Sequence, residues 1–407
     1  MSHTARRQIR KAAVLGAGTM GSRIAAHIAN AGVPVVLLDI VPSGTAPDAA
    51  KPERNRFALA ALDMLKKSRP AAFYTLDSVR FITIGNFDDD LALLADCDWV
   101  IEAVAEDLEI KRALLARVQE HLRPGMVLTT NTSGLPIATI SAGLPPSLKP
   151  HFFGTHFFNP PRYMRLLEMI PTAETDPDDL AVIAHFCDQH LGKTIVRSHD
   201  TPNFIANRIG TFSLSNAIRL MQAQQLTIEE VDLLTGSALG WPRSGTFRLG
   251  DMVGIDVLEH VARNFEAKAA QIKDERADVV LAPFIGRMIE NKWLGDKTGQ
   301  GFYKKMDDAF GKNGGKDAEG RDLRGVLDWQ TLDYRLVTRP KFPALDLAKN
   351  IEPTAARIPK LLHADTAKDK AAAFYWPLLT ELFTYAANRI PEIADSIVEV
   401  DRAMKTG

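Results

Sequence analysis

Residues 155–170, THFFNPPRYMRLLEMI, set two groups able to exchange a proton twelve positions apart, His156 and Glu168. Glu168 stands inside the apolar run LLEMI, and a carboxylate in a buried strand costs several kcal/mol unless a cation or donor faces it. Asn159, Pro160 and Pro161 form a turn signal between two apolar runs, so the stretch can fold back as an antiparallel pair. A symmetric fold-back centred at Arg162 places position 156 opposite 168. The imidazole then lets the carboxylate keep its charge. In return the carboxylate fixes the imidazole tautomer and leaves the other ring nitrogen to act as a general base. Taken alone, a histidine in an apolar strand is more often a satisfied core residue; Glu168 and the nucleotide fold that precedes it turn the balance toward a base.

What precedes this stretch supplies a site for a nucleotide. AAVLGAGTMG runs a short strand into Gly16, Gly18 and Gly21, and Met20, Ile24 and Ile28 then recur at helical spacing until Gly32 stops the helix. The three glycines allow a tight turn, close backbone approach to a pyrophosphate and close packing of helix on strand, with Thr19 and Met20 between them at the helix start. VPVVLLD is the next strand and ends on Asp39, the first carboxylate in the chain. An acid there grips a ribose 2′-hydroxyl and repels a 2′-phosphate, which favours NAD over NADP; the alternative is a capping or turn aspartate. Strand and helix alternate onward through VRFITIG, DDLALLADC, WVIEAV, DLEIKRALLARVQEHL and MVLTTNTS, the outline of an α/β, Rossmann-like doubly wound sheet. Ligands of such sheets sit beyond the carboxyl ends of the strands, which makes Ala105, Glu106, Asn131 and Ser133 site candidates. Glu106 either contacts the cofactor or caps the helix beginning near Asp107. Lys111 on that helix reads first as a solvated charge and second as a cofactor or substrate contact. Ser133 is either a site hydroxyl or a turn residue.

Composition narrows the setting. The 407 residues, 46% hydrophobic, suffice for two or three domains. With 49 basic against 50 acidic side chains, no electrostatic footprint for nucleic acid or an acidic membrane surface is expected. Two cysteines, Cys97 and Cys187, make neither a disulfide framework nor a metal site, and point to a reducing compartment. The start MSHTARRQIRKAAVLGAG is basic then apolar like a leader, but its uncharged run is glycine-broken and leads straight into the helix, so a cytoplasmic enzyme is expected.

After KTIVRSHD the strand pattern stops, and from Asn203 the chain reads as helices. The expected divisions are a nucleotide-binding domain at 1–200, an all-α domain at 201–305, a linker at 306–345 that opens on the Gly- and charge-rich MDDAFGKNGGKDAEGRD, and a partial second helical domain at 346–407. The last rests on a weak repeat, TIEEVD at 227–232 against SIVEVD at 396–401.

In order along the chain, GAGTMG with Asp39, VIEAVAE, NTSGLPI, THFFNPPRYMRLLEMI, TPNFIANRIG and DKTGQGFYKK resemble the 3-hydroxyacyl-CoA dehydrogenases over about residues 10 to 305. The resemblance implies that His156 removes the proton of a substrate 3-hydroxyl, that Glu168 orients it, and that Ser133 and Asn207 hydrogen-bond substrate oxygens; Asn207 otherwise reads as a cap or a bridge between helices. It implies NAD as cofactor, an acyl-CoA substrate, no metal, a homodimer contact on the helical domain, and a mobile helical insertion near coenzyme A, where Lys66, Lys67 and Arg69 otherwise form a solvated face. GTF stands at 245–247 where the family usually has GPF, which bears on acyl-chain preference. Bacterial relatives of this layout continue into an enoyl-CoA hydratase module. Two other readings remain: another hydroxyacid dehydrogenase on the same scaffold, and a dinucleotide-binding structural protein without turnover.

Overall fold

Strand β1 (Ala12–Leu15) is short, uninterrupted and apolar, and both of its faces are covered: Ala12 and Val14 belong to one core cluster, Ala13 and Leu15 to another. That is what a parallel strand packed between helix layers requires. The computed structural model describes residues 7–269, 282–306 and 323–407. Seven further strands, β2 (Val35–Asp39), β3 (Ile82–Asn86), β4 (Trp99–Glu102), β5 (Val127–Thr130), β6 (Phe152–Phe157), β7 (Leu166–Ile170) and β8 (Thr194–Arg197), join β1 in the order β3-β2-β1-β4-β5-β6-β7-β8. β1 to β6 are mutually parallel; β7 runs antiparallel to β6 and parallel to β8. The sequence order reverses between β1 and β4, the position at which doubly wound sheets open a crevice for a nucleotide. The run expected as a helix around 89–97 is a single stretch of 3-10 helix, Leu91–Asp96.

The chain forms two compact units, 1–206 with 389–407, and 207–388. Compactness therefore groups it differently from the four segments expected. The second unit has its own core, in which helices Ala206–Ala223, Ile228–Leu234, Pro283–Glu290 and Lys370–Asn388 pack around Met221, Leu234, Met288 and Phe374. It is not all-α. β9 (Tyr303–Lys305), β10 (Arg324–Leu327) and β11 (Tyr334–Leu336) make a three-stranded antiparallel sheet, two of whose strands lie in the stretch expected as a linker. Val326 and Leu327 are buried, and Trp329 donates Nε1–H to the Leu226 carbonyl at 3.0 Å, so this part of the chain has a core to join. Of the Gly- and charge-rich run, residues 307–322 lie outside the described residues.

The second copy of the weak repeat does not continue a helical domain. Its helix, Ile397–Thr406, belongs to the first unit and covers the edge strand β8. Glu399 Oε2 accepts the Arg197 N–H at 3.2 Å, the Ile393 carbonyl accepts that of His199 at 2.9 Å, and Asp395 meets the His199 ring at 2.9 Å. An open edge strand exposes unpaired backbone groups, and this segment takes up the Arg197 N–H of β8 and the His199 N–H just beyond it. Among the described residues no helix is long and apolar enough to cross a membrane.

Candidate active site

The carboxyl ends of the parallel strands gather the candidates on one edge of the sheet. β1 runs into Gly16, β2 ends on Asp39, β4 leads to 103–106, β5 to 131–133, and β6 carries His156 one residue before its end. Residues far apart in sequence meet here because a parallel sheet puts every strand end on the same side.

The glycine loop fits a diphosphate. A Cβ at Gly16, where φ is 105°, would fall 2.6 Å from the Ala103 carbonyl oxygen, and one at Gly21 would overlap Gly16 itself, so these two serve chain packing. A Cβ at Gly18 would meet nothing within 4 Å, and Gly18 and Thr19 are exposed, so the backbone at the start of helix Thr19–Asn30 is open to a ligand. Met20 is half-buried on that helix. Asp39 accepts the Ala17 N–H on Oδ2 at 2.8 Å and its neighbour Ile40 N–H on Oδ1 at 2.6 Å, fixing the carboxylate beside the loop.

The fold-back forms in the expected register. His156 lies opposite Glu168 in the β6–β7 pair, and its Nδ1 is 2.7 Å from Glu168 Oε2. Glu168 is fully buried and His156 is 5% exposed. A carboxylate opposite Nδ1 makes that nitrogen the donor, which leaves Nε2 as the acceptor of the neutral ring; among the described residues Nε2 makes no hydrogen bond. The sequence reading missed the other half of the support for Glu168. Its Oε1 accepts the backbone N–H of Ala206 at 2.7 Å and of Ile205 at 3.2 Å. Ala206 opens a helix, where every N–H lacks an intrahelical partner, so the acid satisfies groups that need one. Asn203 (φ 62°) and Phe204 (φ 53°) shape the approach in left-handed backbone, which costs a residue such as Phe about 1–3 kcal/mol. The rings of Phe158 and Phe204 flank the imidazole, with centroids 4.3 and 5.7 Å away. Asn131 holds the end of β6 by accepting the Phe157 N–H at 2.9 Å.

A second acid orders the neighbouring loop. Glu106 Oε1 accepts from the Thr132 hydroxyl at 2.5 Å, Ser133 N–H at 2.8 Å, Gly134 N–H at 3.1 Å and, at 3.3 Å, the Ser133 hydroxyl. Burial pushes the Glu106 carboxyl upward, but the Lys111 charge and the hydrogen bonds from Thr132 and Ser133 outweigh it and hold the group below its ordinary value. Glu106 is not the helix cap: Asp107 is, accepting the Ile110 N–H at 2.9 Å. Ala105 is exposed, and its carbonyl accepts the Asp107 N–H at 2.8 Å.

Lys111 corrects the reading of a solvated charge. It is 1% exposed, with Nζ 2.9 and 3.0 Å from the two oxygens of Glu102 and 3.4 Å from Glu106 Oε2. The reason is Glu102, wholly buried at the end of β4, whose charge needs a cation; the Thr130 hydroxyl and Val104 N–H complete its shell. The signal was in the sequence, an acid closing the apolar run WVIE. Asn207, one residue beyond Ala206, is half-buried in helix Ala206–Ala223 and is the first residue of the second unit.

Both parts of the chain are similar to known proteins. Residues 11–201 match the family model of the 3-hydroxyacyl-CoA dehydrogenase NAD binding domain, and 204–305 that of the C-terminal domain, so the nucleotide of the first domain is NAD. A probable 3-hydroxyacyl-CoA dehydrogenase of Bacillus subtilis is 42% identical over 98% of this chain, and the chain spans 49% of that protein's length. One from Deinococcus radiodurans is 44% identical over 74% of this chain and 84% of its own. The solved structure of a 3-hydroxybutyryl-CoA dehydrogenase from Escherichia coli aligns with a TM-score of 0.68 over 98% of this chain and 89% of that one, and at 24% identity the likeness concerns the fold. With its glycine loop, its paired His156 and Glu168 and two successive domain matches, the chain belongs to the 3-hydroxyacyl-CoA dehydrogenase family.

Proposed function

We propose that the protein oxidises the 3-hydroxyl of a 3-hydroxyacyl-CoA to the 3-oxo thioester, with NAD as oxidant. The observation that carries this reading is the His156–Glu168 pair, 2.7 Å apart at the carboxyl edge of a nucleotide-binding sheet. Oxidising a secondary alcohol requires its proton to leave as hydride leaves the same carbon, so a base must stand within hydrogen-bond reach. NAD, when bound, accepts the hydride. His156 takes the hydroxyl proton on Nε2, and Glu168 steadies the resulting imidazolium through Nδ1. In the reverse direction the imidazolium is the acid. Ser133 and Asn207 support the charge growing on the substrate oxygen, and the tight placement of Ser133 by Glu106 suits that duty.

Gly16 and Gly21 let the loop turn and pack closely so that it cradles the diphosphate at Gly18, Thr19 and Met20, Asp39 takes the ribose hydroxyls, and Ala105, Glu106, Lys111 and Asn131 line or brace the nicotinamide side. Lys111 acts there through Glu106 rather than as a free charge. Hydration of an enoyl-CoA makes this substrate, which makes a hydratase the natural supplier, and the reaction sequence is that of fatty-acid oxidation. We assign the protein to a reducing, cytoplasmic setting, in keeping with two thiols that are buried and unpaired.

The test mixes the protein with NAD and 3-hydroxybutyryl-CoA or longer homologues and follows NADH absorbance. Turnover is expected in the wild type, and His156→Ala is expected to abolish it while NAD affinity stays within about twofold. Unchanged turnover in that variant removes the base assignment.

A further inference from the structure

Lys193 is 2% exposed, and among the described residues it makes no ion pair. Its ammonium donates to the Pro161 carbonyl and, at 2.8 Å, to the Met164 carbonyl, and it lies 5.4 Å from the centroid of the Phe157 ring. Burial pulls its pKa down to about 8. A buried ammonium without a carboxylate is an expensive choice where an apolar side chain of similar length would pack, so what it holds has to explain it. Both carbonyls belong to residues 158–165, the loop that joins β6 to β7, and Phe157 is the neighbour of His156.

The backbone delivers the side chain to this loop. Helix Pro177–Leu191 ends at Gly192 in left-handed conformation (φ 64°), and the turn lets Lys193 N–H bond the Cys187 carbonyl at 3.0 Å. Thr194 N–H then bonds the Arg165 carbonyl at 2.8 Å, and β8 starts alongside β7. Within the loop, Tyr163 and Met164 N–H both bond Pro160 O, at 2.9 and 3.0 Å, and Arg162 reaches out to the carbonyls of Ala71 and Phe73. Lys193 thus ties the Pro161 and Met164 carbonyls together from behind, at the side where the loop enters β7. The register of an antiparallel pair is set by its connection, and a slip there separates facing residues.

We propose that Lys193 is a positioning residue for the His156–Glu168 pair: by gathering the two loop carbonyls it holds β6 and β7 in the register that sets the imidazole on the carboxylate. The proposal rests on the reading of that pair as the proton-transfer apparatus, and its test separates the two. Lys193→Ala is made in the full chain, with Lys193→Gln, which retains a donor without the charge, as the second variant should the first not fold. Two readouts are taken. One is the Nδ1 proton resonance of His156, assigned by its disappearance in His156→Ala, which reports the contact with Glu168 whether or not there is turnover. The other is kcat and KM for NAD with 3-hydroxybutyryl-CoA, with and without added propylammonium.

A folded variant is expected to lose or shift the Nδ1 resonance and to lose kcat by about 10- to 100-fold. KM for NAD should stay within about twofold, and propylammonium should recover part of kcat in Lys193→Ala. An unchanged resonance overturns the proposal, as does a kcat within about twofold of wild type, or a loss shared equally by kcat and KM that no amine relieves. Should the wild type produce no NADH, the function reading fails, and the resonance still decides whether Lys193 holds the pair.

Discussion

Glu102, at the end of β4, and Glu168, within β7, are both wholly buried in the same sheet, and each is surrounded by donors. Glu102 meets Lys111 Nζ, the Thr130 hydroxyl and the Val104 N–H. Glu168 meets His156 Nδ1 and the N–H groups of Ala206 and Ile205. Burial and hydrogen bonding are equivalent, so neither marks the site. What differs is the partner: an ammonium has only donors to offer, whereas an imidazole that donates Nδ1–H to the acid keeps a second ring nitrogen for another group. On the proposed reading the first pair braces the loop that carries Glu106, while the second carries a proton to or from the substrate.

The sharpest way to break this comparison is to neutralise each acid without changing its shape. Glu168→Gln keeps an oxygen for the Ala206 N–H but cannot steady an imidazolium, and kcat is expected to fall by about 10²–10⁴-fold with NAD affinity nearly unchanged. Glu102→Gln should leave kcat within about tenfold, the toll of a slightly displaced loop. Steady-state kinetics on both variants decides the matter; equal losses would dissolve the distinction.

The next effect is on stability. Lys111→Met leaves Glu102 buried without its cation, which costs about 3–5 kcal/mol. Adding Glu102→Gln removes the stranded charge; its one carbonyl oxygen still accepts the Val104 N–H and its amide can donate to the Thr130 hydroxyl, so the double variant should regain most of that loss in urea denaturation. A double variant as unstable as Lys111→Met alone would mean that the lysine contributes through packing rather than through charge.

The same contrast explains what was legible in the sequence. An acid in an apolar run announces itself, and a turn signal midway between two residues predicts their pairing, so the β6–β7 register could be read in advance. The glycine spacing and Asp39 likewise pointed to the nucleotide end of the sheet, because Gly16 and Gly21 have no room for a Cβ and Gly18 leaves the backbone open between them. Lys111 was misread because charge on a helix usually points to water, and only the register of β4 beside β5 shows Glu102 beneath it. Backbone donors leave no trace in side-chain patterns, so Ile205 and Ala206 were invisible. The small sheet of β9, β10 and β11 was missed because two of its strands have three residues each, too short for an alternation to register.

Glu106 lies between the two buried acids in character. It shares Lys111 with Glu102 yet orders the Ser133 loop, and its side chain is 23% exposed, so it exchanges with water as the others cannot. Its carboxyl is held below the ordinary value of 4.5: burial opposes this, and the Lys111 charge with the loop hydrogen bonds prevails. A group with a depressed folded pKa stabilises the fold at pH above its unfolded value, and the stabilisation is lost as pH falls through the folded one. Glu106→Gln carries no charge to titrate. The wild type should therefore exceed the variant by a constant margin on the order of 1–2 kcal/mol above about pH 5, and the two should converge as the medium is acidified below 4.5. Urea midpoints measured from pH 7 down to pH 3 read this directly. A margin that persists unchanged at the acid end would show that Glu106 orders its loop by shape, leaving Glu102 as the acid whose charge Lys111 serves.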